Sequence, residues 1–479
     1  MFFQKLSEKL RKQNILEINL KIFKYYGILL DDSVKRTPWE KAMDIIKQVF
    51  TTSLVVQYFL GTAVELYLSM DNVQRAGNCF IFLISHLKNA VKLGTLIIYR
   101  KRILLLLAKI ENNNYIQGIT PTNSERSLVE KYVNLSKRIA KYVWISFFIT
   151  QVSLAANMPP RPNLELIADP EEIKNIRRDS SIKMWFPFKA IESPYFEVTA
   201  VYECITMSIY FAFTTTVNIT LVGLIIHMTG QFAVLVDAIQ NGATRVAELL
   251  SQKRRDTGYG VGAEVVRLLQ DQRTGRIYPT RLESTDTEGQ SEICGKSERV
   301  IGGTEEPIEE KCFFELSARE MFHREMDRYL GCYVAHHQEL LQMVELLDSV
   351  VSAIMFTQIL TSAILFAFIG ILMASATDSS IFIMAMTCLT YVMLETGLVC
   401  WIATELSTQS EEVGAAAGRC EWFNESIRFR NSIIPIIMRA QRPARLSVGP
   451  FGTLSLELFG KIMNSAYSYF TLLKEVSGK

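Results

Sequence analysis

The run FGTLSLELFGKIMNSAYSYFTLL, residues 451–473, decides the fold class because apolar side chains dominate it over its whole length. At about 1.5 Å per residue, a helix of this length crosses a hydrocarbon core roughly 30 Å thick. The run is also rich in hydroxyl groups, among them Ser465 and Ser468. We therefore predict a membrane helix with a function beyond anchoring.

Hydroxyl and aliphatic side chains share one broad face of this helix when residues are spaced at about 100°. The face comprises Leu454, Leu458, Ser465, Ser468, Leu472 and Val476, with Tyr469 at its edge. It suits a helix that lines a pore, because hydroxyls can face water and an apolar ring can close by dewetting. It also suits a helix that packs against its neighbours through small side chains and hydrogen bonds. The pattern alone favours the packing interpretation and does not exclude the pore-lining one.

Six further apolar runs predict an all-α, polytopic membrane protein with seven transmembrane spans. These runs lie at about residues 46–68, 76–98, 139–158, 196–226, 352–374 and 381–403. They account for a chain that is 49% hydrophobic with mean hydropathy +0.16. The net charge of +2 argues neither for nor against a nucleic-acid partner. The eight cysteines form no CxxC pair, so we expect buried free thiols.

Basic residues are concentrated between the second and third spans, whereas residues 69–75 and 375–380 hold only Arg75. Because basic loops stay in the cytosol, this asymmetry places the N-terminus in the cytosol and the C-terminus outside. Residues 1–44 are basic and amphipathic, and we expect no cleavable signal there. The first span is then expected to direct insertion.

Several spans carry ionisable groups that the bilayer core tolerates poorly. They are Glu65, His86, Lys88, Lys92, Glu203 and Glu395. A charge at mid-membrane costs on the order of 2.5 to 3.5 kcal/mol on insertion scales. We therefore expect these side chains to turn toward neighbouring helices, water or the interface.

Several motifs resemble those of the insect odorant receptors. Residues 454–473, LSLELFGKIMNSAYSYFTLL, resemble the last helix of that family, and residues 436–451, IIMRAQRPARLSVGPF, resemble the segment before it. A further pattern precedes the fifth span in the family and is matched by Cys332, His336, Leu340 and Leu341. The resemblance covers most of the chain outside residues 252–312.

The resemblance implies an odorant-tuned subunit of a tetrameric, ligand-gated cation channel in the plasma membrane of olfactory neurons. The implied partners are a shared co-receptor subunit, a small volatile odorant and membrane lipid. The resemblance implies no nucleic-acid partner, no cofactor, no metal site and no enzyme activity. The last helix would line the pore, with pore or gate residues Leu458, Ser465, Ser468, Tyr469, Leu472 and Val476. A cytoplasmic anchor between subunits would include Trp422, Phe429, Ile433, Ile437 and Arg439.

The odorant site should be an apolar cavity with aromatic walls and a few polar groups. The outer halves of spans two, three, four and six supply such residues, and the resemblance selects the same region. The predicted ligand contacts are Phe80, Ile84, Phe148, Gln151, Val152, Thr199, Tyr202, Thr206, Phe382, Met386 and Tyr391. Each of them could equally serve ordinary helix packing.

These interpretations divide the chain into six segments. They are an N-terminal cytoplasmic segment at 1–44, spans one to four at 45–237, a cytoplasmic loop with a helical extension at 238–350, spans five and six at 351–403, the anchor at 404–450, and the pore helix with an extracellular tail at 451–479. Within the loop, residues 252–312 are polar and aperiodic, so we expect them to be disordered.

Other functions fit the sequence less well. The main alternative is a gustatory-type or self-sufficient homotetrameric cation channel, which would conduct without the co-receptor. A G-protein-coupled receptor is disfavoured because the DRY triplet at Asp327-Arg328-Tyr329 precedes the fifth span and the predicted topology is opposite. A transporter would require inverted repeats, which the sequence does not show. His336 and Cys332 could both reach a metal on one helix face, but two ligands do not make a metal site.

Overall fold

The computed structural model describes a chain that is helical almost throughout. The described residues are 23, 25–27, 37–71, 73–112, 115–156, 184–188, 194–257, 308–375, 379–420 and 422–477. Among these residues the only β pairing is an isolated bridge between Ser447 and Thr453. The prediction of an all-α protein is therefore confirmed.

The described residues form ten α-helices, several of them longer than a bilayer is thick. They are α1 (Pro38–Leu68), α2 (Val73–Ile98), α3 (Arg100–Asn112), α4 (Asn123–Ala156), α5 (Tyr195–Gln240), α6 (Gly242–Thr257), α7 (Ile308–Ser375), α8 (Ser379–Arg419), α9 (Ile427–Ala440) and α10 (Leu456–Ser477). Helix α1 begins where Thr37 and Glu40 each accept a backbone N–H of the other, which satisfies two donors that a helix start leaves unpaired.

Each predicted span coincides with a helix, but most helices continue beyond it. Six helices in the described part of the chain, α1, α2, α4, α5, α7 and α8, are long and apolar enough to cross a membrane. Helix α7 spans 68 residues and α8 spans 41, so both extend well past the predicted fifth and sixth spans. The predicted helical extensions of these two spans are therefore present.

The chain divides into two compact units. The larger unit comprises residues 1–235, 336–412 and 440–479 and contains the predicted spans. Its core includes large side chains that are almost completely buried, such as Tyr58, Phe213 and Phe232. The smaller unit comprises residues 236–335 and 413–439.

The smaller unit contains the DRY triplet, and each of its three residues makes a structural contact there. Asp327 accepts a hydrogen bond from Ser426 at 2.9 Å, and the Arg328 guanidinium donates to Glu325 at 2.7 Å. Tyr329 is buried beneath the guanidinium of Arg245, 5.8 Å from its ring centre. All three residues thus serve local packing and pairing.

The last helix begins at Leu456, five residues later than predicted. A tight turn precedes it, in which Val448 donates to the Gly452 carbonyl and Leu454 donates to the Leu446 carbonyl, both at 2.8 Å. Gly452 has φ of 105°, a value that only glycine adopts without strain. Leu454 is therefore a buried turn residue, and its predicted place on the helix face is wrong.

The turn is held against α7 by one carboxylate. Asp348 accepts hydrogen bonds from the Ser447 backbone N–H at 2.6 Å and from the Ser447 hydroxyl at 2.9 Å. The Ser447 hydroxyl also lies 2.8 Å from the hydroxyl of Ser352, one turn further along α7. The turn before the last helix is thus fixed by a contact between Ser447 and Asp348, which are 99 residues apart in the sequence.

The predicted disordered segment 252–312 lies mostly outside the described residues, which end at 257 and resume at 308. The flanking residues 252–257 and 308–312 are helical, as the ends of α6 and α7. Most of the predicted N-terminal segment 1–44 also lies outside the described residues. Within it, Tyr26 is buried and its hydroxyl donates to the Ile209 carbonyl at 2.9 Å, which ties this segment to α5.

Candidate functional site

All six ionisable groups that the sequence places in the spans are buried. Three of them meet in one cluster, which we call the Lys92–Glu395 cluster. It comprises Lys88 and Lys92 on α2, Asn218 on α5, Gln358 on α7 and Glu395 on α8. The expectation that these charges turn toward neighbouring helices is confirmed for this group.

Lys92 is the centre of the cluster. Its side chain is 0% exposed, and its ammonium group donates to Asn218 Oδ1 at 2.7 Å, Gln358 Oε1 at 2.8 Å and Glu395 Oε1 at 3.1 Å. An ammonium group has three protons, so each proton has an acceptor. This complete pairing is what permits a lysine to be buried within a membrane bundle.

Glu395 is shared between both lysines. Its carboxylate lies 3.1 Å from Lys92 and 3.2 Å from Lys88, and it accepts a further hydrogen bond from the Asn218 amide at 2.5 Å. With two lysines and one glutamate ionised, the cluster carries one excess positive charge. The single carboxylate is therefore the group on which the electrostatic balance of the cluster depends.

A small cavity borders the cluster between α4, α5 and α8. Its volume is about 20 Å³, which is room for about one water molecule. Its polar lining comes from Ser146, Asn218, Tyr391 and Glu395, and the rest of the lining is aliphatic. The cavity thus combines apolar walls with a few polar groups, and its size suits a single water molecule that these groups could bind.

A second polar network lies between α1, α2 and α5, and we call it the His86 network. It comprises Tyr58, His86, Asn89, Thr206 and Tyr210. The Tyr58 and Thr206 hydroxyls are 2.6 Å apart, and the Tyr210 hydroxyl lies 2.9 Å from both His86 Nδ1 and Asn89 Nδ2. The His86 ring stacks on Tyr58 with centroids 5.5 Å apart.

The predicted ligand contacts do not form one site in this structure. Those with the most exposed side chains are Phe80, Phe148, Val152, Phe382 and Met386. Phe148 and Val152, at 60% and 69% exposure, share an exposed apolar face of α4 with Tyr142, Ile145 and Ile149. A face of this kind suits contact with lipid.

The remaining predicted contacts lie inside or at the edge of the bundle. Tyr391 borders the cavity and its hydroxyl lies 3.1 Å from Thr215, and Thr206 belongs to the His86 network. Tyr202 donates to Gln57 at 2.7 Å. Thr199 is buried, and Ile84 and Gln151 are half-buried. The assignment of these residues to ligand binding stays a prediction.

Sequence reasoning missed several residues of both networks, namely Tyr58, Asn89, Tyr210, Asn218 and Gln358. A signal existed on α2, where His86, Lys88, Asn89 and Lys92 place four polar residues within two turns of an apolar run. Such a concentration predicts a helix that is surrounded by protein. It does not identify the partners on α1, α5 and α7.

Helix α10 has one buried side and one exposed side. Ile462 and Ala466 are buried, whereas Ser465, Ser468, Tyr469 and Leu472 are exposed. Leu458 is half-buried, and the side chain of Val476 lies outside the described part of the chain. The predicted pore face is therefore exposed in the single chain from Ser465 to Leu472.

The buried side of α10 packs on glycines of two other helices. A Cβ added at Gly370 of α7 would lie 3.0 Å from Phe470, and one added at Gly397 of α8 would lie 3.6 Å from Phe459. Two aromatic side chains of the last helix thus rest where α7 and α8 have no side chain. Any larger residue at Gly370 would push Phe470 aside.

The predicted anchor residues lie on different sides of the chain. Phe429 and Ile433 are buried, Trp422 and Ile437 are half-buried, and Arg439 is exposed. A different set of apolar residues is exposed in this region, namely Phe423, Ile427, Ile434 and Met438. On α9, Ile427, Ile434 and Met438 lie within about 40° of one another, opposite the buried side.

The described residues contain no group of three or more His, Cys, Asp or Glu side chains that could hold a metal ion. The cysteines with described side chains are free thiols: Cys79, Cys204, Cys332, Cys388, Cys400 and Cys420. Burial raises the pKa of the Cys420 thiol, which follows the end of α8, to about 11. That thiol is therefore protonated at neutral pH.

Comparison with known proteins gives a family match over most of the chain. A family model described as 7tm Odorant receptor matches residues 72–467. Odorant receptor Or2 of Anopheles gambiae is 32% identical over 143 residues, which are 29% of this chain and 37% of that protein. Odorant receptor 67a of Drosophila melanogaster is 29% identical over 147 residues, 31% of this chain and 36% of that protein. The chain spans little more than a third of the length of the curated relatives it matches.

Solved structures match over nearly the full length. The insect olfactory receptor OR5 from Machilis hrabei in complex with eugenol gives a TM-score of 0.70 at 18% identity, covering 98% of this chain and 99% of that chain. Another structure of the same receptor gives 0.68 at 17% identity, with 99% of each chain covered. At this level of identity the likeness shows a shared fold.

Replacing Glu395 with glutamine should destabilise the larger unit. The change leaves Lys88 and Lys92 without their shared carboxylate, and breaking a buried ion pair in this way costs about 3–5 kcal/mol. We expect a lower melting temperature of the purified protein and less protein at the cell surface. Thermal denaturation followed by size-exclusion chromatography measures the first, and surface biotinylation measures the second.

The matched control is Glu457→Gln. Glu457 pairs with Lys461 at 2.7 Å on α10, but both side chains are exposed. Exposed ion pairs add little to stability, so this variant should have the same melting temperature as the wild type. Equal melting temperatures for Glu395→Gln and Glu457→Gln would show that the buried cluster has no special role.

Proposed function

Because the chain belongs to the 7tm odorant receptor family, we propose that it is an odorant-tuned subunit of a ligand-gated, non-selective cation channel. As a member of that family it is a multi-pass membrane receptor and not an enzyme. The observation that carries the proposal is the family match over residues 72–467, which includes α2 to α9 and the first half of α10. The sequence SAYSYF at residues 465–470 resembles that of the tuned type of subunit and supports it over the co-receptor type.

The ligand is proposed to bind among α2, α4, α5 and α8, on the side of the bundle predicted to face outward. The resemblance of the sequence to the insect odorant receptors supports this placement, because that resemblance selects the outer halves of these helices. Micromolar affinity for a small volatile molecule corresponds to about 8 kcal/mol. Only the difference in affinity between the closed and open channel can drive gating.

The pore is proposed to be lined by the exposed side of α10, with a gate at Leu472 and Val476. The Ser465 and Ser468 hydroxyls donate to the carbonyls of Lys461 and Asn464 at 2.9 Å. Since each serine proton is used within the helix, the remaining lone pairs of the oxygens face outward. Oxygen lone pairs on a wet surface suit the passage of cations.

Four subunits, of which some are the co-receptor, are proposed to surround this pore and to meet at a cytoplasmic anchor. The exposed apolar side of α9 supports an intersubunit contact, because Ile427 and Met438 have most of their surface uncovered in the single chain. Here the proposal differs from the sequence prediction: Phe429 and Ile433 are used inside the subunit, so the contact is assigned to Phe423, Ile427, Ile434 and Met438.

The test of the proposed function is whole-cell current in cells that express this chain alone and then together with an insect co-receptor. The panel contains volatile esters, alcohols and aromatics, and surface biotinylation confirms delivery to the membrane. Ligand-evoked current that requires both chains is the expected result. Current from the chain alone would identify a self-sufficient channel, and silence in both conditions despite surface delivery would contradict the proposal.

Replacing Leu472 with serine should raise the current measured without ligand. Leu472 is 57% exposed on the proposed pore face, and a hydroxyl there would let water wet the apolar constriction. Basal current, normalised to surface protein, measures the effect. Leu456→Ser is the matched control, since Leu456 is also exposed and lies about 160° away around the helix. Equal basal currents in both variants would exclude the gate assignment.

Replacing Ile434 with glutamate should weaken assembly. The change places a charge in the middle of the exposed apolar side of α9, and a charge buried in an interface without a partner is strongly unfavourable. We expect the detergent-solubilised channel to shift from tetramer to smaller species by mass photometry. Ser432→Glu adds the same charge on a different exposed side of α9 and should leave the tetramer intact. Intact tetramers with Ile434→Glu would remove this surface from the interface.

A further inference from the structure

A basic groove lies where α2 ends and α3 begins, and we call it the α2–α3 groove. Its volume is about 630 Å³, and it is lined by Ile97, Ile98, Tyr99, Arg100, Lys101 and Arg102. Of the described residues that line it, three are basic and none is acidic. The groove thus combines concentrated positive charge with a volume typical of small-molecule sites, about 300–1,000 Å³.

The backbone stays helical through the junction of the two helices. The Tyr99 N–H donates to the Thr95 carbonyl at 2.9 Å, and the Tyr99 carbonyl accepts from the N–H of Ile103 at 3.0 Å. Both bonds join residues four apart, as in an α-helix. Side chains four apart therefore lie one turn apart on the same side of this path.

Apolar and charged side chains follow one another along that side. Ile97 and Ile98 are 37% and 75% exposed, and Lys101 and Arg102, one turn further on, are exposed as well. Tyr99 lies between the two pairs, and its ring centre is 5.2 Å from the Arg102 guanidinium. Tyrosine is enriched at the membrane–water interface. The order therefore fits acyl chains on the isoleucines and a headgroup on the cations.

The stability of α3 does not explain its three cations. The start of a helix carries partial positive charge and favours acidic side chains. The first turn of α3 has no acidic residue and begins with Arg100, Lys101 and Arg102. These like charges repel one another, and an anion bound beside them would offset the repulsion. The arrangement thus fits an anionic partner.

The predicted topology places the groove at the inner leaflet of the membrane. Helix α2 contains the second predicted span, and the basic connection that follows it is predicted to be cytoplasmic. Anionic lipids give the cytoplasmic leaflet its negative surface potential. Phosphatidylserine carries one net negative charge, whereas each phosphate monoester of a phosphoinositide adds about 1.5 to 2. Three cations within one turn match the more highly charged headgroup.

We propose that the α2–α3 groove binds an inner-leaflet phosphoinositide. The phosphorylated headgroup pairs with Lys101 and Arg102, and the acyl chains cover Ile97 and Ile98. The site goes beyond the proposed function, because its ligand is a membrane lipid and not an odorant. Since α2 also carries Lys92, the bound lipid holds the cytoplasmic end of a helix on which the Lys92–Glu395 cluster depends.

The experiment titrates the purified full chain in detergent with three probes and measures binding by microscale thermophoresis. The probes are dioctanoyl phosphatidylinositol bisphosphate, dioctanoyl phosphatidylserine and inositol trisphosphate, which has the phosphates without the acyl chains. The phosphoinositide should bind at least about tenfold more tightly than either of the others. Phosphatidylserine lacks the additional phosphates, and inositol trisphosphate lacks the apolar contact.

Replacing both Lys101 and Arg102 with glutamine should weaken phosphoinositide binding about 25-fold, since each basic side chain near an anionic membrane surface contributes about fivefold. The matched control replaces Lys137 and Arg138 with glutamine. These are also an exposed, adjacent lysine and arginine on a segment predicted to be cytoplasmic, so the loss of charge is the same. The control should bind with wild-type affinity. All four side chains are exposed, so the melting temperatures of both variants should equal that of the wild type.

The outcomes separate a lipid site from its alternatives. Phosphatidylserine that binds as tightly as the phosphoinositide, or a wild-type chain that binds neither, would overturn the proposal. Equal affinity for inositol trisphosphate would identify a soluble phosphate as the ligand and overturn the lipid assignment. Equal losses in the two double variants would show diffuse attraction without a site. Odorant-evoked current tests the proposed function separately, so either proposal can fail while the other stands.

Discussion

The structure depends on one constraint, which is that a charge inside the bilayer must find its partners within the protein. Lys92 meets this constraint with acceptors from three other helices, and the shared carboxylate of Glu395 also holds Lys88. Because each acceptor comes from a different chain segment, satisfying one ammonium group fixes the mutual positions of α2, α5, α7 and α8. Apolar packing alone would allow these helices to slide, since lipid tails are as apolar as their side chains.

The helices themselves were predictable from the sequence, but their ends were not. Apolar runs of sufficient length revealed every span, because the bilayer sets a minimum length for such runs. The extensions of α7 and α8 were visible as helical periodicity, although their limits were not. The start of the last helix was missed because it depends on Asp348, which lies 99 residues from Ser447, and on a backbone conformation at Gly452 that composition does not reveal.

The candidate site was predictable only in part, for a similar reason. His86, Lys92 and Glu395 were recognised as anomalous because each is ionisable within an apolar run. Asn218 and Tyr210 were missed, since an amide or a phenol in a membrane helix is not anomalous by itself. The predicted ligand contacts mix lipid-facing residues such as Val152 with interior ones such as Tyr391, because helical periodicity does not distinguish a surface that meets lipid from one that meets a ligand. The same ambiguity applies to α9, where Phe429 and Ile433 of the predicted anchor are buried within the subunit, whereas Ile427, Ile434 and Met438 are exposed.

The positions of the cluster and of α10 together indicate how a change at the proposed ligand site would reach the proposed pore. Gln358 of α7 and Glu395 of α8 hold the cluster, while Gly370 and Gly397 of the same two helices receive Phe470 and Phe459 of α10. Glu395 and Gly397 are only two residues apart, so a helix that moves one must move the other. The glycine contacts are close, at 3.0 Å for an added Cβ at Gly370, which leaves α10 little freedom to remain in place when α7 shifts. A ligand that binds the outer half of the bundle more tightly in one arrangement of α7 and α8 would therefore favour one arrangement of α10, the proposed pore helix, as well.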